Sequence, residues 1–370
     1  MYTVEGDNDI MRIGFVLPRF SVTPVGGFKV VYEYAVHLAA RGHQVDIFHP
    51  RRLSTHRSWE DRFKEPLWIQ RCQRQLRQHF WFPSVLDARG VRMRFVPVPS
   101  AAYIPDLDAI IATAWHTAPW IAALPSSKGR KFYFIQHYET WDGPKDEVDA
   151  TWTLPLHKIV IARWLYDLGD RYFHQHAQLS YVPNGIDFDH LNITVPPSER
   201  SAHHIGMLYH RNHWKGTDIG LRALNLVRER EPSIQVTLFG APEPGLDIPP
   251  WMEYLRLPSP MQLQAFYNSC AIFVHPSLAE GWPLPPAEAM ACGTAVAASG
   301  NDGVRDYAQH EKNALLSPPG DQEALAANIL RLIREPNVRI RLALEGYRDI
   351  REHTWDIATN RFEQVLRQNL

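Results

Sequence analysis

An alternation of short apolar runs and amphipathic segments constrains this chain more than any other feature. "RIGFVLP" (Arg12 to Pro18) reads as a buried strand. The glycine-bearing loop "RFSVTPVGG", the helical pattern "FKVVYEYAVHLAARG" and a second strand, "HQVDIFHP", follow it. Strand, glycine loop, helix and strand in that order build parallel sheets, because parallel neighbours need a crossover long enough to hold a helix. Further strands read at "RMRFVPV", "LDAIIAT", "KFYFIQ" and "HKIVIA".

The periodicity stops at "YVPNGIDFDHLNITVPPSER" (Tyr181 to Arg200), whose Pro/Asn/Gly content is that of a linker or a domain edge. A second alternation follows: strand "HHIGML", helix "TDIGLRALNLVRER", strand "IQVTLFG", helix "MQLQAFYNS", strand "AIFVHPS", helix "PPAEAMACG", strand "TAVAAS" and helix "DQEALAANILRLIREP". Length agrees, since 370 residues exceed the roughly 250–300 at which single cores stop growing. The expectation is an α/β chain of two Rossmann-like parallel-sheet domains, 1–182 and 183–352, with an interdomain cleft. An amphipathic helix over 353–370 would pack back on the first domain. Ligands of such sheets bind at the carboxyl ends of the strands.

Composition narrows the partners. The formal net charge of −1 gives no global attraction to nucleic acid or membrane, so any charged partner is met locally. Cys72, Cys270 and Cys292 show no C-x-x-C spacing, which speaks against a disulfide framework or a cysteine zinc site and fits a reducing, cytoplasmic setting. "MYTVEGDNDI" lacks the apolar core of a secretory signal, and no run reaches the roughly 18 apolar residues of a spanning helix. A cytoplasmic location, at most at the inner face of the membrane, is expected. His203, His204, His210 and His213 cluster, but no carboxylate or cysteine completes a ligand set, so no metal and no cofactor are expected.

The chemistry concentrates in "HPSLAEGWPLPPAEAMACG", where Glu280 and Glu288 are separated by seven residues. A strand delivers Glu280 to a loop, and Pro285, Pro286 and Gly293 bracket a helix with Glu288 in or next to its first turn. Helix N-termini carry unpaired N–H groups and partial positive charge, so the turn can seat an anion. Two acceptor-only carboxylates beside it suit the hydroxyls of a ribose and a hexose, the two ends of a nucleotide sugar.

That stretch resembles the paired-glutamate motif of retaining glycosyltransferases with the two-domain GT-B fold, specifically the large family 4. The resemblance extends through "GTAVAASGNDGVRDYAQHEKNALLSPPGDQEALAANI", "VPNGID" and "GGFKVVYEYAVHLAARGHQVDIF", so it touches both halves of the chain. It implies that Glu280 contacts the donor sugar and Glu288 the nucleotide ribose. It also implies that Lys215, in "YHRNHWKGTD", and a nearby arginine neutralise the leaving diphosphate without a metal. The arginine position is displaced: His210 holds the usual register and Arg211 follows it, so either could face the diphosphate. Gly26 and Gly27 match a loop over the donor phosphate, and His137, or Gln136 by a shift of one, matches a residue near the reacting carbon. His116 is a weaker second choice. Many relatives have glycine at Pro283, so the anion seat would rest on the amides of Gly281, Trp282 and Leu284.

The implied function is a retaining, metal-independent transferase. It would move a sugar from a nucleoside-diphosphate donor to a glycan or lipid-linked glycan in cell-surface polysaccharide synthesis. "IQHYE" resembles a branch of bacterial rhamnosyl and related polysaccharide transferases, which makes deoxythymidine diphosphate rhamnose a candidate donor. Residues 51–85 hold eight Lys/Arg against three Asp/Glu with aromatics interleaved, a composition suited to peripheral contact with anionic lipid. The alternatives are a GT-B nucleotide-sugar epimerase and a non-catalytic nucleotide-sugar-binding subunit. No nucleic-acid module is recognised.

Overall fold

A computed structural model describes residues 10–22, 25–53, 59–77 and 90–370, without the side chains of 59–63 and 76–77. The chain divides into two units. The first runs to Ile161 and includes Leu165–Val182 and Ala358–Leu370; the second comprises Ala162–Trp164 and Pro183–Ile357.

The first unit is built on seven strands: β1 Arg12–Val16, β2 Gln44–Pro50, β3 Val91–Val96, β4 Ala109–Ala112, β5 Arg130–Ile135, β6 His157–Val160 and β7 Leu179–Tyr181. They lie in the order β3-β2-β1-β4-β5-β6-β7, every pairing parallel. Central strands are buried along their length, as β4 shows throughout "AIIA". A parallel sheet is covered on both faces, which is why these strands read as apolar runs rather than alternations. The last helix, Trp355–Gln368, contributes Phe362 to this core, where its ring lies 4.5 Å from Tyr34, 5.5 Å from Phe134 and 5.9 Å from Phe15.

The second unit has six strands: β8 His204–Leu208, β9 Gln235–Gly240, β10 Glu253–Arg256, β11 Ile272–His275, β12 Ala295–Ser299 and β13 Leu315–Ser317. Their order is β10-β9-β8-β11-β12-β13, again all parallel. Its core gathers Ile205, Met207, Leu238, Ile272 and Val274 beneath the helices Thr217–Arg230 and Gln322–Arg334.

Three strands escaped the sequence reading. β7 and β13 have three residues each, and β10 is a partly exposed edge strand of four. None is long enough to set a period, and pairing with a longer neighbour defines them. In both sheets the order reverses once, between β1 and β4 and between β8 and β11. Loops leaving such a pair diverge and open a crevice at the carboxyl edge. Among the described residues, no helix is long and apolar enough to cross a membrane. Of the basic and aromatic stretch 51–85, residues 54–58 and 78–85 lie outside the described residues, Phe80, Trp81 and Phe82 among them.

Candidate functional site

The second sheet's reversal brings together the loops after β8 and β11. Lys215 ends a short turn after β8, and its Nζ lies 2.9 Å from both carboxylate oxygens of Glu280, in the loop after β11. Two hydrogen bonds join the loops: the Leu278 N–H donates to the Trp214 carbonyl at 2.8 Å, and Ser277 Oγ donates to the Lys215 carbonyl at 3.4 Å. Gly216 makes this approach possible. Its φ is +62°, and a Cβ there would stand 2.2 Å from the Pro276 carbonyl oxygen.

Glu280 is buried, with His275 beneath it at 3.8 Å. Burial alone would raise its carboxyl pKa, but the charge of Lys215, with His275, holds it below the ordinary value. Burial pushes the His275 imidazole down to about 4, so it is neutral at pH 7. His210 is lowered by burial and then by Lys215. His210 exchanges two backbone hydrogen bonds with Thr217 Oγ1, at 3.0 and 2.7 Å, which close the loop that carries Lys215. Arg211 is exposed and donates to the Glu243 carbonyl at 3.2 Å.

The helix after Glu280 spans Leu284–Ala291, with Pro283 as its N-cap. It starts at Leu284, so Glu288 is its fifth residue, next to the first turn. The Glu288 carboxylate is buried and accepts a 2.9 Å hydrogen bond from the Tyr267 hydroxyl. Tyr307 donates to the Pro283 carbonyl at 2.7 Å, and its ring packs 4.7 Å from that of Trp282. Trp164 donates to the Gly281 carbonyl at 3.0 Å. A Cβ on Gly303 would lie 2.5 Å from the Glu280 carbonyl oxygen, so that glycine is what lets the 280–283 turn lie against the following loop.

In the first unit, Gly26 and Gly27 open the helix Gly26–Ala40 after β1. Gln136, just past β5, donates from its amide to the Gly27 carbonyl at 2.9 Å. The His137 ring stands edge-on to Trp141, 4.0 Å away, and Glu139 accepts the Trp115 N–H at 3.0 Å. The His116 ring lies tilted against that of Trp115, 3.9 Å between centroids. Gly27, Gln136, Glu139 and Trp115 thus form one polar rim across the carboxyl ends of β1, β4 and β5.

Tyr267, Tyr307, Trp164 and His275 were not singled out from sequence. Tyr267 and Tyr307 reach the motif from 21 and 24 residues away, and Trp164 from 117, with no spacing rule to announce them. His275 sits within the motif, but its strand context reads as core. Of the other histidines, His204 bonds the Ser269 carbonyl and Thr237 Oγ1, and His203 faces Glu231 at 3.8 Å.

Residues 199–335 match the family model described as glycosyl transferases group 1. The chain is 31% identical over 169 residues to the D-inositol 3-phosphate glycosyltransferase of Thermomonospora curvata, 41% of this chain and 39% of that protein. It is 28% identical over 109 residues to the O-antigen chain mannosyltransferase B of Escherichia coli, 30% of this chain and 28% of that one. The chain thus spans well under half of each of these relatives. HepE of Anabaena, solved in complex with UDP, superposes with a TM-score of 0.75 over 97% of this chain and 100% of that one, at 15% identity. A sucrose-phosphate synthase from Thermosynechococcus elongatus gives 0.69 over 96% and 98%, at 19% identity. The fold is that of the GT-B glycosyltransferases, two Rossmann-like parallel-sheet domains, and the second unit carries the group 1 family match.

Proposed function

We propose that this chain is a retaining, metal-independent glycosyltransferase of family 4. It moves a sugar from a nucleoside diphosphate to a hydroxyl of a glycan or lipid-linked glycan in cell-surface polysaccharide synthesis. The observation that carries the reading is the Lys215–Glu280 pair at the reversal point of the second sheet, inside the family-matched segment. An ammonium held there by a buried carboxylate is placed to pass its charge to a departing diphosphate. Stabilising charge as it develops is commonly the largest catalytic contribution. On this reading Glu280 orients Lys215 and meets the donor sugar. Glu288 holds the ribose, and the amides of Gly281, Trp282 and Leu284 meet phosphate oxygens.

His210, within reach of the charge of Lys215, is the better second contact for the diphosphate than Arg211. The test is a panel of nucleotide sugars, including UDP-glucose, since HepE was solved with it, and deoxythymidine diphosphate rhamnose. Nucleotide release is followed with and without EDTA. Turnover of one donor, unaffected by chelation and with the anomeric configuration kept, is expected. Absence of binding to every donor overturns the reading, and strict metal dependence overturns its mechanism.

A further inference from the structure

A pocket of about 220 Å³ opens in the first unit, lined by Arg19, Arg51 and Arg71 together with Phe20 and Trp68. Arg19 follows β1 and Arg51 follows β2, so the pocket lies at the carboxyl edge of the sheet, where parallel sheets bind ligands. Trp68 and Arg71 are three residues apart on the helix Trp59–Arg77, a spacing that puts both on one face. The Arg52–Glu65 ion pair, 3.6 Å, ties that helix to the end of β2.

The walls are packed. Phe20 stands edge-on to Phe95 at 5.1 Å and to His49 at 5.4 Å, and Trp68 edge-on to Phe95 at 5.9 Å. Among the described residues, no carboxylate lines the pocket. Among the described residues, the guanidinium groups of Arg19 and Arg71 have no hydrogen-bonding or ion-pair partner. In a chain of net charge −1, Arg19 and Arg71 on the wall of one aromatic-lined hollow place positive charge where, among the described residues, no ion-pair partner offsets it. Arginine forks match the geometry of phosphate oxygens, and a single carboxylate carries too little charge to balance the two unpaired ones.

We propose that this pocket is a phosphate site for the glycosyl acceptor, with Arg19 and Arg71 clamping the phosphate and Trp68 and Phe20 flanking the group that bears it. The identification of the ligand as the acceptor rests on the transferase reading above; the anion site itself does not. Soluble sugar phosphates and polyprenyl phosphates share this chemistry.

Calorimetry with glucose 1-phosphate, in saturating UDP so that the second unit's seat is filled, is run on the full chain and on Arg19→Ala, Arg71→Ala and Arg74→Ala. Arg74 is an exposed arginine of the same helix that does not line the pocket. Flotation with neutral phosphatidylcholine vesicles, with and without polyprenyl phosphate, is run in parallel. Arg19→Ala and Arg71→Ala should each weaken phosphate binding about tenfold, with Arg74→Ala and UDP affinity unchanged. A preference for glucose 1-phosphate assigns the site to a soluble acceptor, and one for the polyprenyl vesicles to a lipid-linked acceptor. Both results support the site. Equal loss in Arg74→Ala, or no binding in either arm, overturns it. Failure of UDP to bind counts instead against UDP as the donor nucleotide, and the transferase reading falls only if every donor of the panel fails; the Arg19 and Arg71 comparison can still be made without UDP.

Discussion

Lys215 Nζ stands 2.9 Å from both oxygens of the buried Glu280 carboxylate, joining the two loops that diverge at the reversal of the second sheet. Removing the ammonium leaves a buried carboxylate without its cation, whereas removing both charges does not. Lys215→Met is therefore expected to destabilise the chain by about 3 kcal/mol, and the double variant Lys215→Met/Glu280→Gln by clearly less. Urea denaturation of the four-member cycle measures this. Additive losses would show that the pair contributes no coupling. Turnover should fall by at least about a hundredfold in Lys215→Met.

Tyr267 donates to Glu288 from 2.9 Å, inside the core. Tyr267→Phe removes one hydrogen bond to a buried carboxylate and is expected to cost about 1–2 kcal/mol in stability. If Glu288 holds the ribose, freeing its orientation also weakens nucleotide binding several-fold, and Glu288→Ala weakens it further. Calorimetry with the donor nucleotide separates the two effects: unchanged affinity in both variants removes Glu288 from the ribose role.

The strands and helices that position this pair were largely legible in the sequence, because each carries enough consecutive apolar or amphipathic residues to set a period. The helix Thr217–Arg230 and strand Gln235–Gly240 fall where "TDIGLRALNLVRER" and "IQVTLFG" put them. What sequence could not give was the closing of loops on each other. Nothing in "WKGTD" and "LAEGW" says that Lys215 bonds Glu280 across 65 positions, since that contact follows from which strands become neighbours. Tyr267 was hidden for the same reason. The exact helix start is not legible, because Leu284, Pro285 and Pro286 are all acceptable in a first turn, but the place of Glu288 next to that turn is.

Gly216 holds a left-handed backbone at φ +62° with the Pro276 carbonyl where its Cβ would be. Gly216→Ala must strain the backbone and also push apart the loops that carry Lys215 and Glu280. A loss of at least about 2 kcal/mol is expected, together with a fall in turnover beyond what the stability loss explains. Gly26→Ala is the comparison for stability alone, since a Cβ there meets nothing within 4 Å. Equal effects in the two variants would show that steric approach at Gly216 is unimportant.

Glu139 gives the pH signature of the first unit. Burial pushes its carboxyl up to about 7 against the opposing hydrogen bond from the Trp115 N–H, with Asp142 raising it further. An unfolded glutamate titrates near 4.5, so between about pH 4.5 and 7 the folded chain keeps a proton that the unfolded chain releases. The contribution of Glu139 to stability is therefore full below pH 4.5 and is lost as pH rises toward 7. Glu139→Gln keeps an oxygen acceptor for Trp115 and removes the ionisation. The variant should become progressively more stable than the parent across that window, by up to about 1.4 kcal/mol per pH unit, and the difference should level off above pH 7. Urea midpoints at pH 4.5, 6 and 7.5 measure it. Parallel curves would mean that Glu139 ionises in the folded chain as freely as in the unfolded one, and that the polar rim beside Trp115 is open to water.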